Sequence, residues 1–287
     1  MNNLLGIHYG SFVSNRNEKQ HHIIPKVKNL GFNILEIGAP WLEAQNDSSI
    51  SEFRKAAEDN NIQLILSLGL SIEQDISSPD ASKRKTGLDF LARLAGKMTK
   101  VGAGTCSGII YGAWNGKIEN YDEKAACWDY SVRSMKEAVK VFADEGVEFN
   151  IEVVNRFESF LINDCAEAMR YLDEVDSPQL GIHLDTFHMN IEEDSFTEAI
   201  LRAGKRLKYF HIGENNRKFP GLGKMPWKEI FSALKAADYQ GPISMEPFVR
   251  PGGEVGSAIS LFREIMDLSD YENDIRRSLA FVRGLMA

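Results

Sequence analysis

The sequence predicts a closed (β/α)8 barrel, the TIM-barrel fold of the α/β class, built as a single domain over residues 1–287. Eight short runs rich in Ile, Val, Leu and Phe alternate with longer amphipathic segments along the chain. The short runs are almost continuously apolar, which is typical of parallel strands buried on both faces of a sheet. Eight such units in 287 residues suit a barrel, and an open doubly wound sheet is the alternative fold.

The predicted strands and helices follow one another in regular order. The strand prediction covers residues 4–9, 33–37, 63–68, 105–111, 148–154, 180–185, 207–212 and 242–247. Helical patterns occupy residues 51–59, 83–100, 123–145, 165–174, 196–203 and 227–237, and a further pair of helices follows the last strand. The segment 270–287 is expected to be an extra C-terminal helix that closes the barrel bottom or packs in an oligomer.

The lengths of the loops indicate which end of the barrel carries the function. Connections from helix to strand are brief, whereas several connections from strand to helix are long and rich in Gly, Pro and Asn, namely residues 69–81, 112–122, 213–226 and 248–256. Long loops held on a rigid scaffold carry binding and catalytic residues. The active site of a TIM barrel lies at the C-terminal ends of its strands, so we expect the functional residues there.

Composition and charge argue against several functional classes. No run approaches the ~18 apolar residues of a membrane helix, and the longest, residues 62–70, is interrupted by polar side chains. The net charge of -8 and the lack of a basic cluster longer than residues 83–85 argue against nucleic-acid binding. The three cysteines, Cys106, Cys127 and Cys165, form no C-x-x-C pair and are expected to be buried free thiols. The first residues resemble no secretory signal, so we expect a cytoplasmic protein without a membrane partner.

Polar side chains occur where barrel strands should be apolar. Glu36 lies in the second predicted strand, and Glu152, Asp185, His211 and Glu246 lie near the ends of the fifth to eighth strands. The four on successive strands should converge on one point inside the barrel. Several buried carboxylates without a cation cost several kcal/mol each, so they imply a divalent metal or shared protons. Three oxygens and one nitrogen suit Mn²⁺, Mg²⁺ or Co²⁺, with a metal-free acid/base pocket as the alternative.

Several segments of the chain resemble a known family. They are residues 77–80 (SSPD), 151–158 (IEVVNRFE), 184–190 (LDTFHMN), 211–217 (HIGENNR) and 245–248 (MEPF). Together they resemble the ketose 3-epimerases, that is the D-tagatose and D-allulose (D-psicose) 3-epimerases, within the xylose-isomerase-like TIM barrels. The resemblance runs along the whole chain and is densest over residues 148–253.

The resemblance implies roles for individual residues. It implies one divalent ion, Mn²⁺ or else Co²⁺ or Mg²⁺, held by Glu152, Asp185, His211 and Glu246, and proton transfer by Glu152 and Glu246. It also implies that the O1 to O3 end of the sugar is held by Glu158, His188 and Arg217. Glu36 is expected to reach either a substrate hydroxyl or a histidine of the site.

The far end of the substrate pocket is less well specified by the resemblance. His8, at the end of the first strand, stands where several relatives carry an aromatic residue. Trp114, after the fourth strand, is expected either to stack on the sugar or to pack on a helix. Arg217 is the only arginine expected clearly within the substrate region, which favours a neutral, free sugar over a phosphorylated one.

These features predict a metal-dependent ketose 3-epimerase that interconverts free ketoses through a cis-enediolate, using two glutamates. The first alternative is an aldose–ketose isomerase on the same barrel. The second is a non-catalytic sugar-binding module, which would not need two opposed proton carriers such as Glu152 and Glu246. Motifs for nucleotide cofactors and serine hydrolases are absent from the sequence. The relatives form homodimers or homotetramers, and we expect the same here.

Overall fold

Eight parallel strands close into a barrel in which each strand pairs with its sequence neighbours and β1 pairs with β8. The computed structural model describes residues 1–16 and 18–287. The strands are β1 (Leu5–His8), β2 (Ile34–Gly38), β3 (Gln63–Leu70), β4 (Ala103–Ala113), β5 (Glu148–Val153), β6 (Leu180–Asp185), β7 (Leu207–Ile212) and β8 (Ile243–Met245). The predicted TIM barrel is confirmed, and each strand overlaps its predicted range.

Helices surround the barrel. They are α1 (Ile23–Leu30), α2 (Ala39–Ala44), α3 (Asp47–Asp59), α4 (Ala81–Val101), α5 (Glu123–Asp144), α6 (Cys165–Val175), α7 (Thr186–Glu192), α8 (Phe196–Ala203), α9 (Trp227–Ala236), α10 (Gly253–Ala258) and α11 (Tyr271–Met286). The sequence did not predict α2 and α7, which follow β2 and β6 directly. Both have seven residues or fewer, too short for a periodic pattern to emerge.

The ends of the long helices follow local sequence rules. Asp80 caps α4, because its carboxylate accepts a hydrogen bond of 2.8 Å from the Ser82 backbone N–H. Asp164 caps α6 in the same way, accepting from the Glu167 backbone N–H at 2.7 Å. Gly102 ends α4 with a φ of +80°, a left-handed conformation that glycine adopts without steric cost.

The main core lies between the outer faces of the strands and the helices. Phe142 of α5 stacks on Phe149 of β5 with ring centroids 4.0 Å apart, and Trp41 packs against Phe53 at 4.5 Å. Each large apolar side chain buried in this way contributes about 1.5–3 kcal/mol to stability. Cys106, Cys127 and Cys165 are buried free thiols, as predicted.

The C-terminal helix α11 packs against α1 and α9. The N-terminal ammonium group of Met1 donates a hydrogen bond of 2.8 Å to the carbonyl of Met286, so the two chain ends meet. Ser278 of α11 donates to the Pro220 carbonyl at 2.8 Å and so holds the loop that follows β7. Among the described residues, no helix has both the length and the apolar character needed to cross a membrane.

Candidate active site

Four buried side chains meet at the C-terminal end of the barrel. Glu152 is the last but one residue of β5, Asp185 ends β6, His211 lies in β7, and Glu246 follows β8 directly. Each can offer one oxygen or nitrogen atom such that all four atoms lie within 4.8 Å of one another. The parallel register explains this convergence, since Asp185 pairs with His211 across β6 and β7. The cluster could hold a metal ion, as the positions of these residues in the sequence predicted.

The orientation of His211 tests whether the cluster suits a divalent cation. Its Nε2 lies 2.8 Å from Glu36 Oε2, and that carboxylate can only accept, so Nε2 carries the proton. Its Nδ1 faces Glu246 Oε2 at 3.7 Å and has no hydrogen-bond partner among the described residues. Burial acts to lower the pKa of His211, but the charges of Glu36 and Glu246 outweigh it and raise the pKa well above its ordinary value, so without a cation Nδ1 also carries a proton. A metal ion would take the place of that proton on Nδ1. Three carboxylates and one such imidazole therefore fit a hard or borderline divalent ion.

The two glutamates of the cluster differ in electrostatic environment. Burial raises the pKa of Glu152 well above its ordinary value, and the Glu246 carboxylate raises it further. Burial also acts to raise the pKa of Glu246, but the charges of His211 and Arg217 outweigh it and hold the pKa well below its ordinary value. The protein alone therefore favours a protonated Glu152 beside an ionised Glu246 at neutral pH, whereas a bound cation favours the ionised form of both.

Arg217 brings a positive charge to the same place. Its Nη1 donates to Glu246 Oε2 at 3.0 Å and to Asp185 Oδ2 at 3.3 Å, and its Nη2 donates to Glu158 Oε1 at 3.4 Å. The guanidinium lies over the ring of Phe187, 3.7 Å from its centroid, which is a cation–π contact. The guanidinium thus offsets part of the negative charge of the cluster while its side chain also faces the cavity.

His188 and Glu158 are both oriented by Asn155. The backbone N–H of Asn155 donates to His188 Nδ1 at 3.2 Å. The side-chain amide nitrogen of Asn155 lies 2.7 Å from the same ring nitrogen. The neutral ring therefore carries its proton on Nε2, 3.7 Å from Glu152 Oε1 and 3.6 Å from Asp185 Oδ2. The Asn155 amide also donates to Glu158 Oε1 at 3.2 Å. His188 thus presents a hydrogen-bond donor, and Glu158 an acceptor, to the same cavity.

A cavity that opens to solvent lies over the cluster. Seven of the ten residues predicted for the site line this cavity: His8, Trp114, Glu152, Glu158, His188, Arg217 and Glu246. The other three, Glu36, Asp185 and His211, are almost completely buried outside its wall. Apolar side chains such as Phe248, Val255 and Ile259 complete the wall near α10.

Glu36 lies behind His211, outside the cavity wall. It is completely buried, and its Oε2 accepts from Tyr209 Oη at 2.9 Å as well as from His211 Nε2. Of the two roles expected from the sequence, this position supports contact with a histidine of the site and not contact with a substrate hydroxyl. A carboxylate behind a metal-binding imidazole fixes the tautomer and orientation of the ring.

The two residues predicted for the far end of the pocket are both held by hydrogen bonds. Trp114 Nε1 donates to Glu158 Oε2 at 2.9 Å, so this tryptophan orients a carboxylate as well as forming part of the wall. His8 Nδ1 accepts from the Gly10 backbone N–H at 3.2 Å, and its Nε2 therefore faces Glu246 Oε1 at 4.0 Å. His8 thus offers a hydrogen-bond donor to the cavity.

Three residues of the site were missed by the sequence analysis. Asn155 falls within the segment that carries the resemblance, and its position directly after β5 was a usable signal. Tyr209 shares the inward face of β7 with His211, two residues away. Arg16 gave no local signal, yet it lines the cavity with its guanidinium 5.6 Å from the centre of the Trp114 ring. The expectation that Arg217 is the only arginine of the substrate region is therefore wrong.

Comparison with known proteins gives consistent matches over nearly the full chain. A family model described as the xylose isomerase-like TIM barrel matches residues 24–283. The D-psicose 3-epimerase of Ruminiclostridium cellulolyticum is 42% identical over 284 residues, which cover 98% of this chain and 97% of the relative. The D-psicose 3-epimerase of Agrobacterium fabrum is 37% identical over 284 residues and 98% of both chains.

A solved structure shows the same similarity in three dimensions. The D-psicose 3-epimerase of Clostridium cellulolyticum H10, solved with D-tagatose, superposes on this chain with a TM-score of 0.95. The two chains are 40% identical, and the superposition covers 99% of each. This chain is therefore a carbohydrate epimerase that belongs to the ketose 3-epimerase family of the xylose isomerase-like TIM barrels.

Proposed function

We propose that this protein inverts C3 of free ketoses in a metal-dependent reaction. The observation that carries the proposal is the double placement of Glu152 and Glu246. These two are the members of the metal-binding cluster that also line the cavity. They can therefore contact a bound ion and a substrate at the same time, as a proton-transferring pair must.

The positions of the two glutamates around the barrel suit an inversion. Glu152 lies near the end of β5 and Glu246 follows β8, three strands further around the closed sheet of eight. Their carboxylates therefore approach a ligand above the barrel axis from different sides. One removes the C3 proton, which is acidified by the neighbouring C2 carbonyl, and the other returns a proton to the opposite face of C3.

The remaining residues of the site act on the substrate oxygens. Removal of the proton moves negative charge onto O2, and the guanidinium of Arg217 and the Nε2–H of His188, which both line the cavity, supply hydrogen bonds to such an oxygen. Glu158 accepts from a sugar hydroxyl, while Trp114 keeps its carboxylate in place. A divalent ion bound by Glu152, Asp185, His211 and Glu246 would supply a Lewis acid that stabilises the developing negative charge.

Mn²⁺ is the metal that we propose, with Co²⁺ and Mg²⁺ as alternatives, because the donor set of three carboxylates and one imidazole suits all three. The proposed substrates are the pairs D-fructose/D-allulose and D-tagatose/D-sorbose and the ketopentoses. The names of the relatives support the two hexose pairs, since two are D-psicose 3-epimerases and one was solved with D-tagatose.

Product analysis with and without metal tests this proposal. The purified protein is stripped with EDTA, divided, and reloaded with Mn²⁺, and each sample is incubated with D-fructose, D-tagatose or L-ribulose. We expect the C3 epimer as the product of at least one ketose in the reloaded sample and none in the stripped sample. An aldose product would indicate an isomerase, and equal activity in both samples would contradict the metal dependence.

A further inference from the structure

Glu214 is a buried carboxylate that the proposed mechanism does not use. It lies in the long loop between β7 and α9, three residues before Arg217, and is completely inaccessible to solvent. A buried carboxylate is costly unless hydrogen bonds replace its lost hydration. The loop that carries Arg217 therefore has to supply hydrogen-bond donors to the Glu214 carboxylate.

Three N–H groups surround the Glu214 carboxylate. The backbone N–H of Gly221 and the indole N–H of Trp227 each donate to Oε1 at 2.7 Å, and the backbone N–H of Met225 donates to Oε2 at 3.1 Å. Hydrogen bonds to an ionised acceptor are about twice as strong as neutral ones. Glu214 therefore ties the start of the loop to its returning segment.

Arg217 lies in the turn that this tie encloses. The Arg217 backbone N–H donates to the Glu214 carbonyl at 2.9 Å, and the Glu214 backbone N–H donates to the Lys218 carbonyl at 3.1 Å. Arg217 has a φ of +62°, a left-handed conformation that a non-glycine residue keeps only when its surroundings impose it. The anchored Glu214 contributes to that constraint from within the loop, and the Phe248 backbone N–H, which donates to the Arg217 carbonyl at 2.9 Å, contributes from outside it.

Gly223 shows how closely the loop is fitted around the carboxylate. A Cβ atom at this position would lie 2.3 Å from Glu214 Oε2. The Glu214 side chain is held by three donors, so a methyl group at position 223 would have to push it away from them. The packing of Glu214 against Gly223 can thus be disturbed by a substitution at either position.

We propose that Glu214 is the positioning residue that fixes Arg217 in the active site, an inference that rests on the proposed function for the role of Arg217 in catalysis. Without the anchored carboxylate, the loop relaxes and the guanidinium leaves its place beside Glu246 and Asp185. Glu214 itself contacts neither the cavity nor the cluster.

A double-mutant cycle tests this coupling through activity. In Glu214→Gln, the side-chain NH₂ group takes the place of one carboxylate oxygen and faces an N–H donor, so one hydrogen bond of the anchor is lost. We expect kcat/KM for the best ketose to fall about tenfold or more. In an Arg217→Gln background, the same substitution should change kcat/KM by less than about twofold, because the residue it positions is gone. Multiplicative effects of the two substitutions would overturn the proposal.

Three further variants separate positioning from general loosening of the loop. Gly223→Ala should lower kcat/KM as Glu214→Gln does, and Trp227→Phe, which removes one donor and preserves the fold, should lower it by an intermediate factor. Asn215→Ala is the matched control, since it removes another hydrogen bond across the same loop, from the Lys224 backbone N–H to Asn215 Oδ1 at 3.1 Å, and touches none of the donors to Glu214. It should lower the melting temperature and leave kcat/KM unchanged. An equal loss of kcat/KM in the control would overturn the proposal.

Crystal structures of Glu214→Gln and Trp227→Phe give a result that does not depend on activity. We expect the Arg217 Nη1 to Glu246 Oε2 distance to increase from 3.0 Å in Glu214→Gln, with a smaller change in Trp227→Phe. An unmoved guanidinium in both variants would overturn the positioning role. If the wild-type protein epimerised no ketose, the proposed function would fail, while these structures would still decide the structural link between Glu214 and Arg217.

Discussion

Replacing Glu36 by Gln should weaken metal binding without any change in the four residues that we propose as metal ligands. Glu36 Oε2 accepts from His211 Nε2 at 2.8 Å and from Tyr209 Oη at 2.9 Å, with both donors buried. A carboxylate satisfies both donors. Both donate to the same oxygen, so a glutamine with its carbonyl oxygen in that place keeps both hydrogen bonds but brings no negative charge. Its NH₂ group then lies in the place of Oε1, which has no hydrogen-bond partner among the described residues.

The structure gives an approximate size for this effect. A hydrogen bond to a charged group contributes about 1.5–3 kcal/mol, and a buried donor left without a partner costs about 1–3 kcal/mol. In Glu36→Gln the ring of His211 is held only by a neutral hydrogen bond, so the contact that keeps Nδ1 turned toward Glu246 is weaker. Loss of such a carboxylate behind a metal-binding histidine lowers metal affinity by about 10–100-fold. We expect an increase of the dissociation constant for Mn²⁺ within that range.

Isothermal titration calorimetry of the EDTA-stripped proteins with Mn²⁺ measures this effect. Tyr209→Phe is the matched control, because it removes the other hydrogen bond to Glu36 and leaves the bond to His211 in place. We expect the control to bind Mn²⁺ with an affinity within about threefold of wild type, since a neutral hydrogen bond contributes only about 0.5–1.5 kcal/mol. Unchanged affinity in Glu36→Gln would refute the role of Glu36 in orienting His211.

Three other predictions concern catalysis, substrate binding and stability. Glu246→Gln should lower kcat by about 10²–10⁴-fold with little change in the melting temperature, because it removes a proton carrier; substantial turnover in a progress-curve assay would contradict that role. Trp114→Phe removes the donor to Glu158 Oε2 and should raise KM for the best ketose by about 2–10-fold, corresponding to one hydrogen bond; an unchanged KM would show that the indole does not orient Glu158. Gly108→Ala should destabilise the barrel by about 3 kcal/mol or more in urea unfolding, because Gly108 has a φ of +145° and an added Cβ would lie 2.0 Å from the Leu68 carbonyl oxygen; native-like stability would mean that β4 can shift relative to β3.

The barrel could be predicted because its signals are local. Each buried parallel strand is a short apolar run, and each long helix shows its own periodicity and capping residues. The ends of the strands were also placed well enough to show that Glu152, Asp185, His211 and Glu246 converge. Convergence follows from the closed topology, in which the ends of all strands meet at one rim.

The contacts that orient the site could not be predicted, because they join residues far apart in the chain. Glu36 and His211 are 175 positions apart, and whether Glu36 faced a sugar or a histidine depended on the tilt of β2 against β7 across the barrel. Arg16 reaches the cavity from an irregular loop that has no periodic pattern. The expected homodimer or homotetramer, the cytoplasmic location and the bounds of the single domain stay predictions.

The most direct test of the account is the position of deuterium in the product. The Mn²⁺-loaded protein is incubated with its best ketose in D₂O, and the products are followed by NMR, with an EDTA-treated sample as control. Proton transfer by Glu152 and Glu246 at C3 predicts deuterium at C3 of the epimeric ketose, and no exchange in the control. Deuterium at C1 or C2 of an aldose would contradict the account, as would an epimer formed without incorporation of any label.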